Sequence, residues 1–261
     1  MKIELRHISK SFQGRAVLRD VSLTLESGAR VALIGRSGTG KSVLLRIALG
    51  LVAPDAGEVW VDGAKMNARR HRKMMNDSGI ALQSGSLLAS QAVWENVMFS
   101  ARHALPPMSR RSAIAAARDL MVAVGLPPNT ARLMPSDLSG GMAKRAGLAR
   151  ILAAPRRLIA FDEPTSGLDP VSASDIGVLL ADIAGRDAAT TLTVTHDLNL
   201  ARAVADTVVL LEDGQIRWRG APDDMAETKD SLVRAFLKSA QMFPADVSLR
   251  GTKAPLSPDC R

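Results

Sequence analysis

A chain of 261 residues can form one large α/β domain, or one domain with an inserted lobe. No apolar run approaches the ~18 residues of a membrane-spanning helix, and Met1 to Leu5 lack the apolar core of a signal peptide, so we expect a cytosolic protein unless a partner holds it at a membrane. The net charge of +8 suits nucleic acid, an anionic membrane face or an acidic partner, while the single cysteine, Cys260, excludes an internal disulfide.

The aromatic content argues against nucleic acid among these possible partners. With five Phe, three Trp and no Tyr, the chain has few rings to stack on bases, and a solvated helix face explains the basic cluster Arg69–Lys73 at least as well as nucleic acid does. We therefore expect no nucleic-acid binding.

The first third of the chain predicts an antiparallel β layer. Residues 21–25 alternate apolar and polar side chains, as a half-buried strand does, and shorter apolar segments precede them at 3–8 and 16–18. Phe12 is placed in the turn between the first two strands. A further short strand at 57–63 is bounded by glycines.

An apolar strand at 31–34 leads into the pattern G-x-x-x-x-G-K-[ST] and then a helix at 42–49, which is the context of a phosphate-binding loop. Glycines let successive N–H groups face phosphate oxygens, Lys41 would sit against the β- and γ-phosphates, and the Ser42 hydroxyl would bind Mg²⁺. The alternative is a glycine-rich turn without a ligand. The predicted nucleotide-binding residues of this loop are Gly35, Arg36, Ser37, Gly38, Thr39, Gly40, Lys41 and Ser42.

After a predicted strand at 80–82 the apolar residues recur at helical spacing, and predicted strands begin again near 158. Helices are predicted at 109–124, 139–153 and 171–184, and strands at 158–161, 191–194 and 208–211. This pattern predicts an α/β P-loop core of about 1–90 and 155–240 interrupted by an α-helical subdomain of about 91–154. The tail, 241–261, is expected to be loose or ordered only by a partner.

Two further patterns carry chemistry. The strand at 158–161 ends in Asp162 and Glu163; beside a P-loop, Asp162 would hold Mg²⁺ through its water shell and Glu163 would polarise the attacking water. On its own, an acidic strand end is an equally good interpretation. His196 follows the strand at 191–194, from where a side chain can reach a γ-phosphate.

A serine and two glycines, Ser139, Gly140 and Gly141, begin a predicted helix and form a second candidate for anion binding. The alternative is an ordinary helix cap by Ser139. A second phosphate cradle in one chain makes sense if it covers the ATP that another copy holds.

Together these motifs resemble the ATP-binding cassette (ABC) ATPases over about residues 2–237. The resemblance makes Gly35–Ser42 the Walker A loop, Gln83 the Q-loop residue that contacts metal and γ-phosphate, 138–142 the signature and 158–163 the Walker B strand. It likewise implies a D-loop containing Asp169, a switch histidine at His196, and Phe12 as the ring that stacks on adenine, although Phe12 could also be a core residue. Met142 and Arg36 depart from the commoner Gln and Pro without removing a phosphate-contacting group. ATP, Mg²⁺ and an ATP-bridged homodimer are the implied ligands and assembly.

A finer resemblance, carried by 83–88 and 133–145, is to the ATPase subunits of Mla-type (Mce-linked) lipid transporters. It implies a membrane permease, an Mce-domain lipid-binding protein, in some systems a STAS-domain protein, and a peripheral position on the cytoplasmic side of the inner membrane. A permease helix would dock in a groove formed by 84–96, with the apolar side chains Leu87, Leu88, Val93 and Trp94, although about half of those side chains could instead be core. The alternatives are an importer of amino acids or other small solutes, a soluble ABC ATPase acting on nucleic acid, and a nucleotide-binding module without turnover.

Overall fold

The computed structural model describes residues 1–82, 87–101, 106–185 and 189–240. The predicted tail, 241–261, lies outside these residues. The strands are β1 (Ile3–Phe12), β2 (Arg15–Leu25), β3 (Arg30–Ile34), β4 (Ala56–Val61), β5 (Ala64–Lys65), β6 (Ser78–Ala81), β7 (Leu158–Asp162), β8 (Thr190–Val194), β9 (Thr207–Glu212) and β10 (Gln215–Gly220). The α-helices are α1 (Lys41–Ala48), α2 (Ala68–Asn76), α3 (Val93–Phe99), α4 (Arg110–Ala123), α5 (Gly140–Leu152), α6 (Pro170–Gly185), α7 (Leu198–Val204), α8 (Asp224–Glu227) and α9 (Ser231–Ala240).

The first sheet has the strand order β2-β1-β4-β5 and is antiparallel, which confirms the predicted β layer. Its leading hairpin turns at Gln13 and Gly14, whose φ angles of 50° and 78° both lie in the left-handed region. A two-residue turn of this kind matches the twist of the paired strands. Phe12 is therefore the last residue of β1, paired with Arg15, and not part of the turn as predicted.

The second sheet has the order β10-β9-β3-β8-β7-β6. Its five strands from β9 to β6 are parallel, and β10 adds an antiparallel edge strand that is not among the predicted strands. Helices and the first sheet cover both faces, which is why β3, β7 and β8 are almost entirely buried.

Alternate side chains of this parallel sheet enter two different cores. Val31 and Leu33 of β3 face a core shared with α1, α2 and the first sheet, whereas Ala32 and Ile34 face the core formed with α3 to α9. The parallel sheet therefore joins both layers and fixes the positions of its strand ends.

Helices α3, α4 and α5 and two short 3₁₀ turns, Pro128–Arg132 and Pro135–Asp137, occupy the interval between β6 and β7. The helices predicted at 109–124 and 139–153 correspond to α4 and α5. The basic cluster Arg69–Lys73 lies on α2, whose first turn is capped by the Asn67 side chain accepting from Arg70 N at 2.9 Å. Across the described ranges, no helix combines the length and apolar character needed to span a bilayer.

Candidate functional site

Three strand ends of the parallel sheet bring the predicted site residues together. The Gly35–Ser42 loop follows β3, Asp162 ends β7 and Glu163 comes directly after it, and His196 follows β8. Since β3, β8 and β7 are adjacent and parallel, their carboxyl ends lie at one edge of the sheet. That edge is where open α/β sheets bind ligands.

The shape of the loop requires glycine at two positions. Gly35 has φ 149°, and a Cβ atom there would lie 2.2 Å from the carbonyl oxygen of Leu211. Gly40 has φ 101°, and its Cβ would lie 2.9 Å from the Leu18 side chain of β2. The loop is thus pressed against the backbone behind it, while residues 36–38 at its tip are exposed.

Lys41 begins α1 and is buried. Its ammonium donates to the carbonyl oxygens of Gly35 at 2.8 Å and Arg36 at 3.1 Å, and lies 3.8 Å from Glu163 Oε1. Burial lowers the pKa of Lys41, and the nearby carboxylates Glu163 and Asp162 oppose that shift. Within the loop, the Thr39 hydroxyl donates to the Arg36 carbonyl at 2.9 Å.

The Ser42 hydroxyl donates to Asp162 Oδ1 at 2.7 Å. Asp162 is 1% exposed, and its Oδ2 atom has no hydrogen-bond partner among the described residues. Buried carboxylate oxygens normally have partners, so this oxygen has unused acceptor capacity. A hydroxyl and a carboxylate fit Mg²⁺, which binds few protein oxygens and keeps water and phosphate as its other ligands.

Glu163 lies at the turn that leaves β7. Its φ angle is 50°, an uncommon conformation for a residue with a side chain, and its N–H donates to the Val194 carbonyl of β8 at 2.9 Å. The carboxylate reaches His196, with Oε2 2.7 Å from Nδ1. This pair joins the ends of β7 and β8, so the two side chains can act on one bound molecule.

Lys144, in the second turn of α5, also belongs to this region, although no sequence pattern singles it out. Its ammonium donates to the Ser166 carbonyl, burial lowers its pKa, and the charge of Glu163 opposes that shift. A lysine in a helix resembles any other surface lysine, so only the packing of α5 on the core identifies it. A cavity of about 30 Å³, large enough for a water molecule, is lined by Ala81, Leu82, Lys144, Leu148, Asp162, Glu163 and Pro164.

Phe12 is 46% exposed, which argues against the core alternative. The Lys10 ammonium lies 5.3 Å from the centroid of its ring. Because β2 contacts the P-loop at Gly40, the hairpin that contains Phe12 is anchored to the phosphate-binding region.

The remaining predicted residues are not joined to the P-loop within the chain. Ser139 is an exposed helix cap whose hydroxyl accepts from Met142 N at 3.3 Å, and among the described residues no hydrogen bond links the turn 139–141 to the loop. Asp169 caps α6, accepting from the backbone N–H groups of Val171 at 3.1 Å and Ser172 at 3.0 Å. Gln83 lies outside the described residues.

Comparison with known proteins gives a consistent result. The family model described as ABC transporter matches residues 18–166. The chain is 33% identical, over 98% of its length and 72% of the relative's, to a probable ribonucleotide transport ATP-binding protein, mkl, of Mycobacterium tuberculosis. Identity to the intermembrane phospholipid transport system ATP-binding protein MlaF of Escherichia coli is 34%, over 90% of this chain and 88% of MlaF. Identity to the methionine import ATP-binding protein MetN 2 of Rhodopseudomonas palustris is 36%, over 94% of this chain and 69% of MetN 2.

The fold is also similar to that of MJ0796, a bacterial ABC transporter cassette solved as a dimer. The TM-score is 0.76 at 30% identity, over 84% of this chain and 98% of that one. A second dimeric structure of MJ0796, in a post-hydrolysis state with ADP and Pi, is equally similar, with a TM-score of 0.76. These matches confirm the predicted fold class and the predicted ligands, ATP and Mg²⁺. The chain therefore belongs to the ABC transporter family, as one of its ATP-hydrolysing cassettes.

Proposed function

We propose that this cassette hydrolyses ATP with the residues at the ends of β3, β7 and β8 and thereby drives lipid transport through a separate membrane permease. The observation that carries the catalytic part is the geometry around Asp162, whose buried Oδ2 is unpaired within the described residues while Oδ1 accepts from Ser42. Ser42 and Asp162, with Gln83, would hold Mg²⁺, which when bound supplies charge stabilisation at the transferring phosphoryl group.

The chain's own residues supply binding and proton transfer. The N–H groups of the Gly35–Ser42 loop and the Lys41 ammonium bind the phosphates. Glu163 accepts a proton from the attacking water. His196, whose Nδ1 lies 2.7 Å from the Glu163 carboxylate, orients that carboxylate. The small cavity beside Glu163 offers space for a water molecule. Phe12 forms the platform on which adenine stacks, and the remainder of the site comes from a second copy.

Gly140 and Gly141 support the contribution of a second copy. Both are helical, and a Cβ at Gly140 would meet nothing within 4 Å while one at Gly141 would only touch Leu168 at 3.8 Å. The chain's own fold therefore does not require glycine at either position. A requirement does arise if a phosphate of the partner's ATP approaches this helix start, and MJ0796, a structural relative, forms a dimer. In that head-to-tail homodimer Asp169, which follows the segment that Lys144 contacts, would lie near the shared nucleotide.

A dimer of two covalently linked copies tests this arrangement. One copy carries Lys41→Ala and the other Ser139→Arg, so that both changes fall on one composite site and leave the second intact. This linked dimer should bind about one ATP analogue, and a linked dimer with both changes in the same copy should bind about none. The reverse result, about none for the first linked dimer and about one for the second, would show that the signature serves its own chain, and equal stoichiometry would show that Ser139 does not contribute to nucleotide binding.

The lipid assignment is supported by MlaF, a phospholipid transport protein matched over 88% of its length. MetN 2 supports methionine import but is matched over only 69% of its length. Accordingly, we propose a permease, an Mce-domain lipid-binding protein and, in some assemblies, a STAS-domain protein as partners, with the cassette on the cytoplasmic side of the inner membrane. Native purification of the complex from membranes, followed by identification of its subunits and bound small molecules, separates the two: phospholipid with an Mce-domain protein supports lipid transport, and a periplasmic solute-binding protein contradicts it.

We further propose that a unit of about 91–154, containing α3 to α5, receives the permease on the surface near α3. The four apolar side chains named for the groove differ in burial: Leu88 is 42% exposed, Leu87 and Trp94 are half-buried, and Val93 is buried. Leu88 is consequently the informative position. Leu88→Glu should keep ATP binding but lose co-purification with the permease, whereas Val122→Glu on α4, an equally conspicuous exposed apolar position, should retain it.

A further inference from the structure

Asp55 lies in the loop between α1 and β4 and makes three contacts with the end of β1. Its carboxylate accepts from the Lys10 ammonium at 2.6 Å, through Oδ1, and from the Ser11 backbone N–H at 2.7 Å, through Oδ2. Its own N–H donates to the Ser9 carbonyl at 2.9 Å. The Lys10 ammonium and the Ser11 N–H lower the pKa of Asp55, which keeps the carboxylate ionised.

The position of these contacts matters because one edge of β1 is uncovered there. β2 continues along one side of β1 to Phe12, but on the other side β4 pairs only as far as Ser9, opposite Ala56. A strand edge without a neighbour frays unless its N–H groups find other acceptors. The Asp55 carboxylate supplies that acceptor at Ser11, one residue before Phe12.

A second link runs through Lys10. Residues 10 and 12 are two apart on one strand, so their side chains share a face, and the Lys10 ammonium lies 5.3 Å from the centroid of the Phe12 ring. The same ammonium is bonded to Asp55, and the Lys10 side chain is only 15% exposed. The carboxylate therefore fixes the cation that lies over the ring as well as the backbone that precedes it.

We propose that Asp55 is a positioning residue for base recognition: it holds Lys10 and Ser11 so that one face of Phe12 is fixed and the other is free for adenine. This inference rests on the proposed role of Phe12 as the adenine platform. A positioned ring loses less freedom when a base stacks on it, so Asp55 contributes to nucleotide affinity without touching the nucleotide. The competing view is that Asp55 only closes the edge of the first sheet.

Two probes separate recognition of the base from recognition of the phosphates. The full chain is titrated with the imido analogue of ATP and, in parallel, with inorganic triphosphate, both with Mg²⁺. Phe12→Ala should weaken binding of the ATP analogue by about tenfold, the magnitude of one base–aromatic stack, and leave triphosphate binding unchanged. Asp55→Ala should weaken binding of the analogue by about three- to tenfold, because the ring is no longer held, and should also spare triphosphate. Asp55→Asn keeps an acceptor for Ser11 and should restore part of the loss.

Glu58→Gln is the matched control, since Glu58 is a paired carboxylate on β4 that bonds Lys65 and Trp60 and does not contact the end of β1. Its affinity for both probes should equal that of the unaltered chain. If Phe12→Ala weakens the ATP analogue and Asp55→Ala does not, or if Asp55→Ala weakens both probes equally, the positioning role of Asp55 is wrong while the platform stands. If Phe12→Ala has no effect, the platform itself is wrong, and the inference fails with it.

Discussion

The chain contains two glycine–serine turns that begin helices, and they differ in what requires their glycines. In the P-loop, Gly35 and Gly40 have positive φ angles and would clash with neighbouring atoms if they carried a side chain. In the turn at Ser139, Gly140 and Gly141 are helical and have room for a Cβ. Helical glycine costs up to about 1 kcal/mol relative to alanine. The first turn is thus shaped by the fold itself, whereas no contact within the described residues requires the glycines of the second turn.

The two turns also differ in their surroundings, which are buried for the P-loop and exposed for the turn at Ser139. The P-loop contains the buried Lys41 and lies beside the buried Asp162 and Glu163. In contrast, Ser139 and Gly140 are exposed, and the Ser139 hydroxyl is used within its own helix cap. One turn belongs to the proposed catalytic centre and the other to an open surface. A chain with this division is expected to be active only as a pair, which is the basis of the predictions that follow.

The largest effect is expected at the proposed catalytic centre. Glu163→Gln keeps the size of the side chain but removes the proton acceptor, so ATP hydrolysis should fall by about 10²- to 10⁴-fold while ATP still binds. His196→Ala should lower turnover steeply through the same carboxylate, with a much smaller change in affinity. Lys41→Ala should instead abolish productive binding. Steady-state hydrolysis and equilibrium titration measure these outcomes, and wild-type turnover by Glu163→Gln would remove Glu163 from the mechanism.

The next largest effect is expected for Gly35→Ala in the P-loop. The added methyl group would lie 2.2 Å from the Leu211 carbonyl at a φ of 149°, so the loop must move. The free energy of unfolding should fall by about 3 kcal/mol, and ATP binding should be lost. Gly38→Ala is the control, since a Cβ there meets nothing within 4 Å and only the φ of 84° is unfavourable, at about 1 kcal/mol. Urea denaturation of the purified chains compares the two, and equal losses of stability would contradict the clash at Gly35.

The smallest change in stability, and the sharpest test of the contrast, comes from Gly140→Ala and Gly141→Ala. Each should leave the free energy of unfolding unchanged or raise it by up to about 1 kcal/mol, because alanine suits a helix better. Each should nevertheless lower ATP hydrolysis, since the methyl group blocks the approach of the partner's phosphate. Denaturation and turnover are measured on the same preparations. Full activity in both variants would contradict a requirement imposed by a second copy.

Most of the fold follows from local sequence patterns. Buried parallel strands such as β3 and β7 have continuous apolar runs, and α4 and α5 begin at Ser109 and Ser139, which cap them. The edge strand β10 is harder to predict, because only Ile216 and Trp218 carry its alternation of polar and apolar residues and none of its residues is buried. The position of Phe12 is predicted wrongly because the pattern does not show that Gln13 and Gly14, both left-handed, complete the turn by themselves.

The candidate site is predictable to the extent that short motifs contain it. The P-loop and the Asp162–Glu163 pair each occupy a few consecutive residues, so their chemistry can be inferred from the residue types. Lys144 and Asp55 cannot be found in that way. Each acts through a residue distant in the chain, Ser166 for Lys144 and Lys10 for Asp55, and such contacts depend on how helices and loops pack on the sheets.

The left-handed backbone of Glu163 matters for any attempt to engineer this protein. At φ 50° a glycine is sterically more comfortable than glutamate, so Glu163→Gly should relieve about 1 kcal/mol of strain while removing the proposed catalytic carboxylate. A directed-evolution experiment that selected only for heat resistance would, through this relief of strain, favour loss of the proposed catalytic carboxylate. Screens for stable variants of this cassette should also measure ATP turnover, because at this position backbone strain favours glycine whereas the proposed catalysis requires glutamate.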